Sequence, residues 1–168
     1  MRSKASAARR EPQDEQAARE KCLRLLGLRA RSAAELRDRL KGEGFAQETI
    51  ASVMRDLESA KLVDDEEFAR SWVASRQAAL AAGRRRLRWE LRRKGVSEEL
   101  IRRVVDEGVD DETELRLATE LARRRLREGE LPVEGKALGR LRRLLAARGF
   151  ESDTVDTVLR RVGEEIAG

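Results

Sequence analysis

The side chains in this sequence best placed to act on another molecule lie between positions 84 and 94. Arg84-Arg85-Arg86-Leu87-Arg88-Trp89-Glu90-Leu91-Arg92-Arg93-Lys94 holds seven basic residues, one acid and a tryptophan. Leu87 and Leu91 stand four apart and mark the face that a helix would bury. Trp89 is two residues from each, which turns it roughly 160° to 200° around the helix from them and exposes it. An exposed indole among guanidinium groups suits stacking on a base or anchoring in a protein groove. Arg140, Arg142, Arg143 and Arg148 form a second cluster at corresponding positions of a later segment, and Arg123, Arg124 and Arg125 form a third. Such runs are often solvated faces paired with nearby glutamates. Their recurrence in corresponding helices favours a binding surface instead. The candidate partner-binding residues are therefore Arg84, Arg85, Arg86, Arg88, Trp89, Arg92, Arg93, Lys94, Arg140 and Arg143.

Covalent chemistry has little to draw on. The chain contains no histidine and no tyrosine. Triads and dyads that use histidine as the base are thereby excluded. Cys22 is the only cysteine, which argues against a zinc site, and its place on the apolar face of the first helix reads as core packing. Neither common glycine-rich phosphate loop is present. Two carboxylate clusters, Asp64-Asp65-Glu66-Glu67 and Asp110-Asp111-Glu112 with Glu114, have the composition of a divalent-metal site. They fall at helix starts, where acids cap amides and complement the helix dipole, and that role is expected for them. No catalytic residue, metal or cofactor is expected.

The composition points to helices as the elements that position these groups. Of 168 residues, 40% are hydrophobic, 41% charged and only 3% aromatic, so the core must be Leu, Val, Ile and Ala. Pro12 and Pro132 are the only prolines, which leaves long stretches free to be helical. Lys and Arg outnumber Asp and Glu by 37 to 32, a net charge of +5. Met1 to Gln16 is basic and polar and does not read as a secretory signal; residues 1–15 are expected to be a disordered tail. No stretch approaches the ~20 apolar residues of a membrane helix. A single cysteine fits a reducing compartment, and a cytoplasmic location is expected.

One pattern occurs three times: Leu, three residues, Leu, three residues, Gly, then an apolar residue. The copies are Leu36, Leu40, Gly44, Phe45; Leu87, Leu91, Gly95, Val96; and Leu141, Leu145, Gly149, Phe150. The glycines are 51 and 54 residues apart. Glycine at the end of a helix permits the left-handed turn that terminates it. After each comes a stripe at helical spacing: Ile50, Val53, Met54, Leu57; Ile101, Val104, Val105; and Val155, Val158, Leu159, Val162. Before each lies an earlier helix, near Gln16–Leu28, from Glu66 and from Glu112. Ser32 with Glu35 reads as a capping box, and Asp64 with Glu67 can do the same. Nothing alternates in the manner of a strand. The expected fold is all-α: three tandem three-helix repeats at 16–62, 63–109 and 110–168, forming an elongated, curved array.

Several of these segments resemble RecX regulatory proteins. They are Leu23-Arg24-Leu25-Leu26, Arg31 to Leu36, Leu40 and Gly44-Phe45, then Leu62-Val63-Asp64-Asp65-Glu66-Glu67-Phe68-Ala69 with Arg76, Gly83, Arg86-Leu87-Arg88, Glu90-Leu91 and Lys94-Gly95-Val96. The match is dense from about residue 20 to 105 and looser in the third repeat, whose loop Glu128 to Gly135 looks longer. Trp89 is outside the family pattern, so its part rests on its place on the helix wheel. The resemblance implies a non-catalytic protein of three tandem three-helix repeats that negatively modulates the recombinase RecA. It would bind the RecA filament on single-stranded DNA, lodge in its groove and oppose extension, ATP hydrolysis and strand exchange, so limiting the SOS response. Contact with single- or double-stranded DNA phosphates would be compatible with its arginines. The alternative is a helix-turn-helix-like DNA-binding regulator, although the basic helices lack an obvious set of Asn or Gln base-readers. No heptad pattern suggests a coiled-coil dimer, and a monomer is expected.

Overall fold

The structure is a computed structural model that describes residues 13–127 and 137–167. Most of the expected tail, up to residue 12, and the whole loop from Glu128 to Gly135 lie outside the described residues. Among those residues there are nine helices and no strand: α1 (Glu15–Leu28), α2 (Ala33–Gly42), α3 (Gln47–Ser59), α4 (Asp65–Leu80), α5 (Arg84–Arg93), α6 (Glu98–Gly108), α7 (Asp111–Arg127), α8 (Ala137–Arg148) and α9 (Ser152–Ala167). The all-α expectation holds. The chain divides into two compact units between Phe68 and Ala69, within the first turn of α4.

In the first unit α1 and α2 each pack on α3. Their shared core holds Ala18, Cys22, Leu36, Leu40, Phe45, Val53, Met54 and Leu57, so Cys22 is core, as its spacing suggested. Burial holds the Cys22 thiol above its ordinary pKa. Ser32 and Glu35 form the capping box at the start of α2. Asp65 adds to it, its Oδ1 accepting from the Ala33 N–H at 2.8 Å.

In the second unit α5 packs on α6, and α7 and α8 on α9. Leu87, Leu91, Ile101, Val104 and Val105 are buried, and a further core is built from Ala118, Leu121, Leu141, Leu145, Phe150, Val158 and Val162. The stripes read from the sequence are thus the buried faces. The leading acid of each acidic cluster acts as read. Asp64 Oδ1 accepts from the N–H groups of Glu66 and Glu67, and Asp110 Oδ1 from that of Thr113. The Glu67 and Thr113 amides respectively are the main cause that holds these carboxyls below the usual range. Glu114 does not cap its own helix, and Asp65 serves the start of α2 instead.

The three repeated glycines make the same turn. Gly44, Gly95 and Gly149 have φ of 87°, 74° and 82°. In each, the next residue's N–H returns to the carbonyl of the pattern leucine: Phe45 to Leu40, Val96 to Leu91 and Phe150 to Leu145, each at 3.2 Å. The apolar residue after each glycine is buried. This is the hydrophobic contact that accompanies a left-handed helix end.

Gly149 has a second task. The turn after α8 meets the start of α5 through backbone alone. The Gly83 N–H donates to the Arg148 carbonyl at 2.9 Å, and the Arg85 N–H donates to the Gly149 carbonyl at 3.0 Å. A Cβ on Gly83 would lie 2.5 Å from the Gly149 oxygen, and one on Gly149 would collide with the backbone of Arg86. Two chains approach this closely only where neither carries a side chain.

Replacing Gly44 by Ala should cost about 1 kcal/mol, the left-handed penalty alone, because nothing lies near its missing Cβ. Gly149→Ala should cost clearly more, since it adds a backbone collision to the same penalty; urea unfolding of the two variants provides the comparison. Lys61 also has positive φ, at 56°, and ends α3 with its side chain in solvent. Lys61→Gly should stabilise the protein by up to about 1 kcal/mol in the same assay.

Candidate partner-binding surface

Helix α5 carries seven of the ten candidate residues, with Lys94 at its C-cap, and its sequence alone gives it a poor start. Its N-cap is Gly83, which offers no side chain, and its first turn holds Arg84, Arg85 and Arg86 with no acid. Cations at a helix N-terminus oppose its dipole. The missing acid comes from α7. Glu114, fully buried, accepts from the Arg84 N–H at 2.9 Å and from Arg84 Nε at 2.8 Å, with the Thr154 hydroxyl 3.5 Å away. Asp111 takes a terminal nitrogen of Arg84 at 2.7 Å. Burial pulls the Arg84 guanidinium down, but hydrogen bonds and charge from Asp111 and Glu114 outweigh it and hold Arg84 above its ordinary value. The Arg84 side chain is only 17% exposed. It joins α5 to α7.

Glu90, the one acid in the basic run, is the second hub. Its carboxylate is buried and accepts from Trp72 Nε1, Arg76 Nε and Arg86 Nε, each at 2.9 Å. Burial pushes the Glu90 carboxyl up, but these donors and the charges of Arg76 and Arg86 prevail and hold it below the ordinary glutamate range. Arg76 also lies over the Trp72 ring at 4.4 Å, and Lys94 over the same ring at 4.9 Å.

The remaining arginines divide sharply. Arg88 binds Asp106 of α6 and Glu151 of the α8–α9 turn, both at 2.8 Å. Arg92 binds Glu98, with Nη2 to Oε2 at 2.9 Å. Arg93 lies 4.9 Å from the centre of the Trp89 ring, and Trp89 is 53% exposed, as its wheel position predicts. Arg85 is exposed, and its guanidinium meets no acid among the described residues. On α8, Arg142 pairs with Asp156 at 2.7 Å. Arg140 and Arg143 are exposed and carry no ion pair among the described residues. Arg148 is half-buried and donates to the Leu80 carbonyl. Burial, then the charges of Arg125, Arg86 and Arg124, lower its pKa.

These side chains frame a groove of 710 Å³. One wall is Arg85, Arg86, Arg88, Trp89 and Arg92 from α5; the other is Ala146, Ala147, Gly149 and Glu151. Arg143 and Arg140 precede Ala147 by four and seven residues, so they share its face of α8 and extend the groove along it. Sequence reasoning missed Glu114 and Glu151 as partners. Their spacing from Arg84 and Arg88 carries no local signal. Glu90 was in plain view at four residues from Arg86, a helical ion-pair spacing.

Among the described residues no cluster of His, Cys, Asp and Glu is arranged to hold a metal ion, and no helix is long and apolar enough to cross a membrane.

Residues 18–57 match the family model described as RecX, first three-helix domain, and residues 64–105 match RecX, second three-helix domain. The regulatory protein RecX of Amycolatopsis mediterranei is 41% identical over 143 residues, 85% of this chain and 81% of the relative. This chain belongs to the RecX family. The regulatory protein RecX of Mycobacterium leprae is 37% identical over 146 residues, 86% of this chain and 85% of that one. The crystal structure of RecX from Lactobacillus salivarius has the same fold, with a TM-score of 0.78 at 18% identity over 89% of this chain and 97% of that one. The family is one of regulators.

The depressed pKa of Glu90 has a pH consequence. Its stabilising contribution is present in full above the unfolded value of ~4.3 and is lost as pH falls through the lower folded-state value. Between about pH 6 and about pH 3 the wild type should therefore lose more stability in urea titrations than Glu90→Gln, which should start lower at the higher pH.

Proposed function

We propose that this chain is a negative modulator of the RecA recombinase, one that binds the RecA–single-stranded DNA filament and limits its extension, ATP hydrolysis and strand exchange, and with them the SOS response. Membership of the RecX family raises this reading. The observation that carries it is the second unit's surface, where half-exposed Trp89 and Arg85, which meets no acid among the described residues, stand beside a groove continued along α8 by Arg143 and Arg140. An aromatic anchor flanked by arginines is the usual composition of an energetic centre in a protein interface. The ten candidate residues belong to this surface in different ways: Arg85, Trp89, Arg93, Arg140 and Arg143 face outward, while Arg84, Arg86, Arg88, Arg92 and Lys94 shape and hold α5. The chain acts as a monomer, and the three-repeat division at 62/63 and 109/110 is its working organisation.

Direct regulation through duplex DNA is the weaker reading. Four of the α5 arginines are bound to carboxylates of the same chain, which leaves few cations for phosphates.

The test is the single-stranded-DNA-dependent ATPase of the cognate RecA, with this protein titrated well below one per protomer. Inhibition at such ratios is expected, and Arg85→Glu/Arg140→Glu/Arg143→Glu should raise the half-inhibiting concentration about tenfold or more, at ~0.5–1 kcal/mol for each charge. These three are better targets than Arg88 or Arg92, whose reversal would break internal ion pairs. An ATPase unmoved by excess protein at low salt would overturn the proposal.

A further inference from the structure

The groove between α5 and the α8–α9 turn has a floor without side-chain bulk. Ala146, Ala147 and Gly149 present only methyl groups and backbone. Opposite them, Trp89 is 53% exposed, and the guanidinium of Arg93 lies over its ring at 4.9 Å. That contact helps hold the indole in place before anything binds, which lowers the cost of ordering it on binding. The volume of 710 Å³ is that of a site for a few side chains, not for a whole domain face.

Its charge is more selective than the arginine-rich sequence suggests. Arg86, Arg88 and Arg92 line the groove but are held by Glu90, by Asp106 and Glu151, and by Glu98. Arg85 is the lining cation with no acid among the described residues, and Glu151 contributes a carboxylate to the wall. A nucleic-acid strand brings a phosphate at each nucleotide and needs several free cations. In the lining it would find one such cation, Arg85; Arg143 and Arg140 lie further along α8, outside the lining. A protein segment with an apolar side chain and a carboxylate near it needs one slot and one cation.

We propose that this groove is a receptor for an acidic protein segment, which inserts an apolar side chain between Trp89 and the Ala146–Ala147 floor and sets a carboxylate on Arg85. Further acids along the segment would meet Arg143 and Arg140. The proposal rests on the filament-modulator reading and adds to it where the filament is gripped and by what chemistry: through protein, not through its DNA.

Trp89→Ala and Arg85→Glu separate the possibilities, because both residues are exposed and neither holds α5 by an ion pair. Two readouts are taken on the full chain: inhibition of the cognate RecA ATPase on single-stranded DNA, and direct binding of a fluorescein-labelled oligothymidylate of about thirty nucleotides without RecA. Thermal unfolding confirms that both variants fold. The expected result is a half-inhibiting concentration raised about tenfold or more by each variant, as for an interface anchor, with oligothymidylate binding equal to that of the wild type. Variants that inhibit like the wild type would overturn the groove assignment and leave the modulator function standing. Loss of oligothymidylate binding in step with loss of inhibition would make the groove a nucleic-acid site and overturn the proposal in the other direction. A wild-type protein that leaves the ATPase unchanged fails at the earlier step, and the failure is then that of the functional reading itself.

Discussion

Helix α5 begins with three arginines that point against its own dipole, and it has no side-chain cap. Everything useful on the second unit depends on how that start is satisfied. Three of its leading N–H groups find distant acceptors: Gly83 the Arg148 carbonyl, Arg84 the Glu114 carboxylate, and Arg85 the Gly149 carbonyl. The carbonyls left over at the end of α8 thus complete the amides left over at the beginning of α5, two deficits that every helix carries. The buried charge of Glu114 offsets the arginines. Because Gly83 and Gly149 lack side chains, the two backbones touch, and this contact sets the distance between the walls of the groove.

The second governing feature is self-neutralisation. A run of seven basic residues reads as a strong positive patch, yet most of it is spent inside the molecule. Glu90 gathers Trp72, Arg76 and Arg86; Asp106 and Glu151 take Arg88; Glu98 takes Arg92. Buried hubs such as Glu90 and Glu114 contribute position more than net stability, since the cost of desolvating charge nearly cancels the attraction it gains. What they achieve here is a fixed α5 with its leucines inward and Trp89 outward. Among the described residues, the surface that remains carries Arg85, Arg140 and Arg143 outside any ion pair, together with the exposed Trp89.

Family membership and this geometry bear on different questions. Similarity over most of the chain places it among the RecX regulators, and the shared fold with a crystal structure at 18% identity shows that the helical framework tolerates wide sequence change. That tolerance is understandable. The framework needs apolar stripes, three glycines at helix ends and a few caps, and many sequences meet those needs. Trp89 and the groove beside it lie outside those requirements.

Much of the fold was legible from local rules. Leucines four apart with a glycine four further on define a helix and its end within nine residues, and all three copies make the left-handed turn they encode. Ser32 with Glu35, Asp64 and Asp110 act within three or four residues of themselves, so their capping roles could be read directly. Trp89's exposure followed from its angle to Leu87 and Leu91. The roles of the arginines could not be read this way. Arg84 meets Glu114 thirty residues on, Arg88 meets Glu151 sixty-three residues on, and Arg148 reaches Leu80 sixty-eight residues back. A guanidinium on a helix surface has the same local sequence whether it faces water or an acid from another helix, and Gly149 looks like Gly44 until α5 is set against it. Sequence by itself determined which residues are buried and where each helix stops, because those depend on neighbours a few positions away. Only the tertiary structure decided which charges are left free to bind, because that depends on which helix ends are brought together.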